Sequence, residues 1–153
     1  MMKENSITIK KMTALNIDGL VKIENECFSK PWTYSGFENE LKNDSSHFYV
    51  ALCDNSEIGY MGFYTILDEG YVANIAVLPE YRRRGIAGSL IKNAINYCRE
   101  NKLAFLSLEV RKSNENAVRL YKKFGFEIVG ERKNFYSSPV ENAFIMTKYF
   151  NTD

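Results

Sequence analysis

Residues 70–110 constrain the fold more than any other stretch. GYVANIAVL (70–78) reads as a strand, and from Gly85 onward Ala87, Leu90, Ile91, Ala94, Ile95 and Cys98 recur at the spacing of one helical face. AFLSLEV (104–110) is then a strand again. Strand, helix, strand over this length predicts two parallel strands joined by a right-handed crossover. The flanking segments fit around that unit. ITIKKM (7–12) predicts a strand, and Leu15, Ile17, Leu20, Val21, Ile23 and Cys27 mark a first helix behind the cap candidate Thr13. A second, short helix starts after Pro31. HFYVALCD (47–54) and EIGYMGFYTIL (57–67) precede 70–78 as an antiparallel meander. Ala117, Leu120, Tyr121 and Phe124 stripe a further helix that stops at Gly125, and FEIVGER and NAFIMTKYF close the chain as strands. The expected fold class is α/β, with a mixed, mostly antiparallel sheet of six or seven strands and helices on both faces.

With 153 residues, 45% hydrophobic and 14% aromatic, the sequence can bury one good core, so residues 1–153 are expected to form a single domain. Twenty Lys and Arg against nineteen Asp and Glu give a formal charge of +1, which argues against a general polyanion binder and makes any basic function local. Cys27, Cys53 and Cys98 form no CxxC pair, and the start MMKENSITIKKM is too polar for a signal peptide, so a reducing cytoplasm is expected. No stretch approaches the roughly 20 apolar residues of a membrane span. His47 is the single histidine and no Cys or His cluster has metal spacing, so neither a metal nor a histidine-based nucleophile is expected.

The local basic feature is Arg82-Arg83-Arg84, directly before Gly85-Ile86-Ala87-Gly88 and the helical stripe. A helix N-terminus is already a positive dipole end with unpaired amides, so further cations there suit an anion. The P-loop pattern fails because no Gly-Lys pair follows, and the GxGxxG pattern is absent. A solvated basic turn is the plainer alternative, and spacing alone does not decide between them.

Arg82-Arg83-Arg84-Gly85-Ile86-Ala87, with Asn74-Ile75-Ala76-Val77 before it, resembles motif A of the GCN5-related N-acetyltransferases (GNAT), where this turn binds the pyrophosphate of acetyl-coenzyme A. Leu108 to Asn114 and Ala117 to Phe126 resemble the second half of that cofactor site. The segments CFSKPWT (27–33) and RKNFYSSPVENAFIM (132–146) resemble the RimI-type ribosomal-protein-alanine N-acetyltransferases. The resemblance implies a GNAT-like domain that transfers acetyl from acetyl-coenzyme A to the N-terminal α-amine, of alanine, of a small-subunit ribosomal protein, by direct attack in a ternary complex. It implies backbone contacts to the acetyl-pantetheine arm from Ile75, Ala76 and Val77, and phosphate contacts from Arg83, Arg84, Gly85, Ile86, Ala87 and Gly88. Asn114 matches the coenzyme-contacting asparagine, Glu109 the general base and Tyr121 the general acid. The acceptor peptide is expected between residues 28–33 and the loop 132–141. The implied partner is the N-terminal segment of the ribosomal protein, with no direct nucleic acid and no membrane; a monomer is the simplest assembly. Two departures stand out: Ala87 replaces the commoner second glycine, and Glu141-Asn142 stands where an acidic pair is common.

The residue types suit that chemistry. An α-amino group of pKa about 7.7–8.0 is only about a tenth neutral at pH 7, so a base must collect its proton. A departing thiolate of pKa near ~8.5 needs a proton, and a tyrosine of pKa ~10 supplies it once burial raises the thiolate's own proton affinity. Amides of the 75–77 strand are candidate donors to the developing oxyanion. Each residue also has a plainer reading: Glu109 as a solvated strand carboxylate, Tyr121 as a core aromatic, Asn114 or Ser113 as an N-cap, Trp32 and Phe28 as packing, the cysteines as buried or surface thiols. The alternatives in function are acetylation of a lysine or small-molecule amine, and a noncatalytic acetyl-coenzyme A-binding adaptor.

Overall fold

The structure, a computed structural model, describes residues 6–150; the polar residues 1–5 of the start and the final three lie outside the described residues. Seven strands form one sheet in the order β1-β2-β3-β4-β5-β7-β6. They are β1 (Ile7–Lys11), β2 (Ser46–Cys53), β3 (Ser56–Ile66), β4 (Glu69–Val77), β5 (Phe105–Arg111), β6 (Glu127–Ser137) and β7 (Val140–Tyr149). The helices are α1 (Ile17–Cys27), α2 (Tyr34–Leu41), α3 (Ile86–Glu100) and α4 (Glu115–Lys123). β1 with β2, β2 with β3, β5 with β7 and β6 with β7 pair antiparallel. β4 and β5 pair parallel, as the strand-helix-strand pattern requires, with Glu69, Gly70 and Tyr71 opposite Phe105, Leu106 and Ser107.

The chain divides into two compact units, Met1–Tyr64 with Ala73–Ala94, and Thr65–Val72 with Ile95–Asp153. In the first unit Ile17, Leu20 and Ile23 of α1 and Phe37 of α2 are fully buried, as are Val50, Ala51, Tyr60 and Phe63 of β2 and β3. Phe37 meets the Tyr60 ring edge-on at 5.4 Å, and Trp32 lies 5.3 Å from Phe37, so Trp32 packs into this aromatic cluster. Thr33 caps α2 by accepting the Gly36 amide at 3.2 Å. Leu15 does not join the apolar stripe expected of it. It sits in a short 3-10 turn, Ala14–Asn16, and is 91% exposed, because Asn16 turns back to accept the Thr13 amide at 2.9 Å and starts α1 only at Ile17.

In the second unit Leu106, Leu108 and Val110 fill one face of β5, and Phe126, Ala143 and Met146 are buried with them. On the other face the Ser107 and Thr147 hydroxyls bond each other at 2.8 Å. α4 ends as its sequence predicts. Gly125 has φ +93°, its amide donates to the Lys122 carbonyl and the Phe126 amide to the Tyr121 carbonyl, both at 3.0 Å, the paired bonds of a Schellman motif. The expected loop 132–141 is mostly strand: β6 continues to Ser137 and turns into β7 at Val140. The polar run from Arg132 to Ser137 conceals it, because its pairing with β7 is interrupted between Arg132 and Tyr136, where Asn134 takes φ +52°.

Candidate active site

The anion-suited turn lies in the first unit. β4 ends at Val77, residues 78–85 turn, and α3 begins at Ile86. Gly85 has φ +77°, a conformation L side chains rarely adopt, and a Cβ built on it would meet nothing within 4 Å. The backbone there is therefore open to an approaching group. The first helical amide is that of Ser89, which donates to the Gly85 carbonyl at 3.0 Å, so the amides just before it have no partner within the helix. Ile86 and Gly88 are buried, whereas Arg83, Arg84 and Gly85 are exposed. These features fit a pyrophosphate held by amides at a dipole end, with Arg83 and Arg84 beside it.

The three arginines divide by role. Arg82, exposed like Arg83 and Arg84, folds its guanidinium back onto β4 and α1: its Nε donates to the Val77 carbonyl at 3.0 Å, and its Nη2 lies 3.5 Å from the Cys27 thiol. Burial pushes the Cys27 thiol up, while the hydrogen bond and charge of Arg82 pull it down. The Arg84 guanidinium stacks over the Tyr81 ring at 5.1 Å. Of the strand expected to meet the pantetheine arm, Ala76 and Val77 are buried and Ile75 is half-buried. The Ile75 amide is engaged by the side-chain oxygen of Asn74 at 3.0 Å.

The expected proton-transfer residues lie in the second unit. Glu109 is on β5 opposite Ile145 of β7, half-buried rather than fully solvated. Tyr121 is 7% exposed in the last turn of α4, and burial raises its phenol above the ordinary range, with nearby Tyr136 adding to the shift. Tyr136, on β6, is not among the candidates that the sequence offers. Burial raises its phenol, the charge of Glu109 raises it further, and Arg111 opposes both. The Arg111 guanidinium stacks on the Tyr136 ring at 4.3 Å and donates to Glu141 at 3.1 Å and to the Pro139 carbonyl at 3.0 Å. Glu141 also accepts the Ser113 amide at 2.6 Å. Hydrogen bonding from Ser113, joined by Arg111, holds the Glu141 carboxyl below the usual range. The β6–β7 register sets Tyr136 opposite Glu141, a pairing that no local sequence pattern reveals.

Asn114 is the N-cap of α4 and accepts the Ala117 amide at 3.1 Å, so it, not Ser113, carries the cap; its amide nitrogen is left for another partner. Cys53 and Cys98 are buried. Among the described residues no group of three or more His, Cys, Asp or Glu could hold a metal ion, and no helix is long and apolar enough to cross a membrane.

Residues 17–126 match the Acetyltransferase (GNAT) family. The chain is 40% identical over 139 residues to a Bacillus subtilis protein named "Putative ribosomal protein bS18-alanine N-acetyltransferase", covering 90% of this chain and 92% of that one. It is 36% identical over 147 residues to the ribosomal protein bS18-alanine N-acetyltransferase of Haemophilus influenzae, covering 92% and 97%. Its fold superposes on the crystal structure of the ribosomal-protein-S18-alanine N-acetyltransferase from Escherichia coli with a TM-score of 0.89 at 27% identity, covering 97% of this chain and 96% of that one. By sequence pattern, fold and relatives alike, the chain belongs to the acetyltransferase (GNAT) family.

Proposed function

We propose that this N-acetyltransferase transfers the acetyl group of acetyl-coenzyme A to the N-terminal α-amine of alanine on a small-subunit ribosomal protein, the substrate class carried in the names of its relatives. The observation that carries the mechanism is that one compact unit holds a half-buried carboxylate, Glu109 on β5, and a buried phenol, Tyr121 in the last turn of α4. A carboxylate and a protonated phenol are the two groups that proton transfer to and from a reacting amine and thiol requires.

The bound cosubstrate supplies an activated acetyl thioester. Gly85, Ile86, Ala87 and Gly88 offer backbone to its pyrophosphate, Arg83 and Arg84 supply charge, and Ile75, Ala76 and Val77 flank its acyl arm. Asn114 offers its free side-chain nitrogen. Glu109 accepts the proton that the α-ammonium must lose before it can attack. Tyr121, kept protonated by burial, donates to the departing thiolate. The oxyanion donor among residues 75–77 is narrowed by Asn74, whose side chain already engages the Ile75 amide. Residues 1–153 act as a single N-acetyltransferase domain, monomeric and cytoplasmic, whose partner is the N-terminal peptide itself and neither nucleic acid nor membrane.

Thiol release with a peptide panel tests the reading. Peptides beginning Ala-Arg or Ala-Lys should react faster than the same peptides with a blocked N-terminus and an internal lysine. The pKa gap between the two amines alone gives the α-amine about a hundredfold more neutral form at pH 7. Faster reaction of the blocked peptide would point to lysine acetylation, and binding without turnover to an adaptor.

A further inference from the structure

Glu24 is a carboxylate inside the core. It is 1% exposed on α1, next to the fully buried Ile23. Its Oε1 accepts the backbone amide of Trp32 at 2.8 Å; its Oε2 accepts the Tyr60 hydroxyl and, at 3.0 Å, the Asn74 side-chain nitrogen. The Tyr60 hydroxyl also lies 2.7 Å from the Asn74 nitrogen, and Asn74 uses its remaining oxygen to hold the Ile75 amide at 3.0 Å. Burial raises the Tyr60 phenol, and its bond to Glu24 raises it further, so Tyr60 stays a donor.

All three partners are neutral donors, and burying a carboxylate among them gains less stability than a well-packed apolar side chain would. What such a fully hydrogen-bonded group supplies is direction. The two carboxylate oxygens reach two separate pieces of the first unit. One is the segment 28–33, which leads from α1 into α2; the other is the end of β4, whose residues 75–77 are assigned to the acetyl arm.

We propose that Glu24 is a positioning residue for acetyl transfer, fixing the peptide-side segment at Trp32 and the cofactor strand at Asn74 and Ile75 in one register. The proposal rests on the acetyltransferase reading above. Glu24 touches neither substrate; it acts through Trp32 and Asn74. A glutamine at this position presents an amide N–H to one of three donors, so at least one of the bonds is lost.

Steady-state kinetics and amide hydrogen exchange of Glu24→Gln, well below its melting temperature, test this. The expected result is a rise of about tenfold in KM for both an alanine-terminated peptide and acetyl-coenzyme A, with faster exchange at the Trp32 and Ile75 amides. A lowered melting temperature with both KM values and both exchange rates unchanged would mark Glu24 as structural only and overturn the proposal. Should Glu24→Gln not fold, Asn74→Ala carries the test: the KM for acetyl-coenzyme A rises while that for peptide stays within about twofold. An unchanged cofactor KM in folded Asn74→Ala equally overturns it. A wild-type chain that acetylates no amine refutes the transferase reading instead, and the two exchange rates still decide whether Glu24 holds both segments.

Discussion

Phe126 holds Tyr121 twice: its amide donates to the Tyr121 carbonyl at 3.0 Å, and its ring meets the Tyr121 ring edge-on with 5.8 Å between centroids. The backbone bond is one of the two paired bonds of the Schellman ending of α4, and the ring contact is the apolar contact that accompanies them. One motif thus ends the helix and fixes the direction of the phenol assigned as the acid.

Tyr121→Phe keeps the ring and its contact with Phe126 and deletes only the hydroxyl. Stability should change by about 1 kcal/mol or less. If Tyr121 protonates the leaving thiolate, kcat should fall by roughly 10² to 10⁴ with acetyl-coenzyme A affinity near wild type. The sign of its shift matters: burial disfavours the phenolate, so the acid form persists through neutral pH, and any loss from its titration falls above the ordinary tyrosine value of about 10. Single-turnover rates from pH 6.5 to 9 read the fall, and in that range wild type should show no loss from titration of Tyr121.

Glu109→Gln should also lower kcat, but its defect should shrink as pH rises through the amine pKa of about 7.7–8.0, where the substrate loses its proton unaided. The Tyr121→Phe defect should not shrink in that range, because alkali supplies no acid. Rate ratios to wild type across the same pH series distinguish them. A Glu109→Gln defect independent of pH would remove it as the base.

Gly85 allows backbone strain to be separated from blocking of the anion. With φ +77°, Gly85→Ala should cost about 1 to 2 kcal/mol of stability, while its methyl enters open space and leaves part of the cofactor affinity intact. Gly85→Glu should carry a similar strain and in addition put a negative charge where the pyrophosphate belongs, abolishing measurable binding. Calorimetric titration beside thermal melts reads both; equal affinities of the two variants would contradict the phosphate assignment.

The stripe of α3 was readable because helical period is local: Leu90, Ile91, Ala94, Ile95 and Cys98 are all buried. The glycine end of α4 was readable for the same reason. Glu24 was not, since a carboxylate beside Ile23 reads as solvated until Trp32, Tyr60 and Asn74 are brought to it from 8, 36 and 50 residues away. Tyr136 was hidden similarly, in a polar run whose strand character depends on long-range pairing with β7. The arginine turn was legible as a basic entry to α3, but the bond of Arg82 to the Val77 carbonyl was not, since no local pattern reveals it.

That division of the arginines is testable. Arg82→Ala removes the bond to Val77 and should lower stability by about 1 kcal/mol, visible in the melting temperature. Arg83→Ala should leave the melting temperature near wild type and weaken acetyl-coenzyme A binding by a factor equivalent to about 1 kcal/mol or less, as for an exposed charge shared with neighbours. The reverse pattern would exchange the two roles.

The central claim is the identity of the acceptor amine, and one peptide tests it directly. A synthetic peptide with a free N-terminal alanine and an internal lysine is incubated with the chain and acetyl-coenzyme A, and the acetylated position is located by tandem mass spectrometry. The account predicts acetyl on the alanine nitrogen with the lysine unmodified at early times. Acetyl on the lysine, with the alanine amine still free, would contradict it.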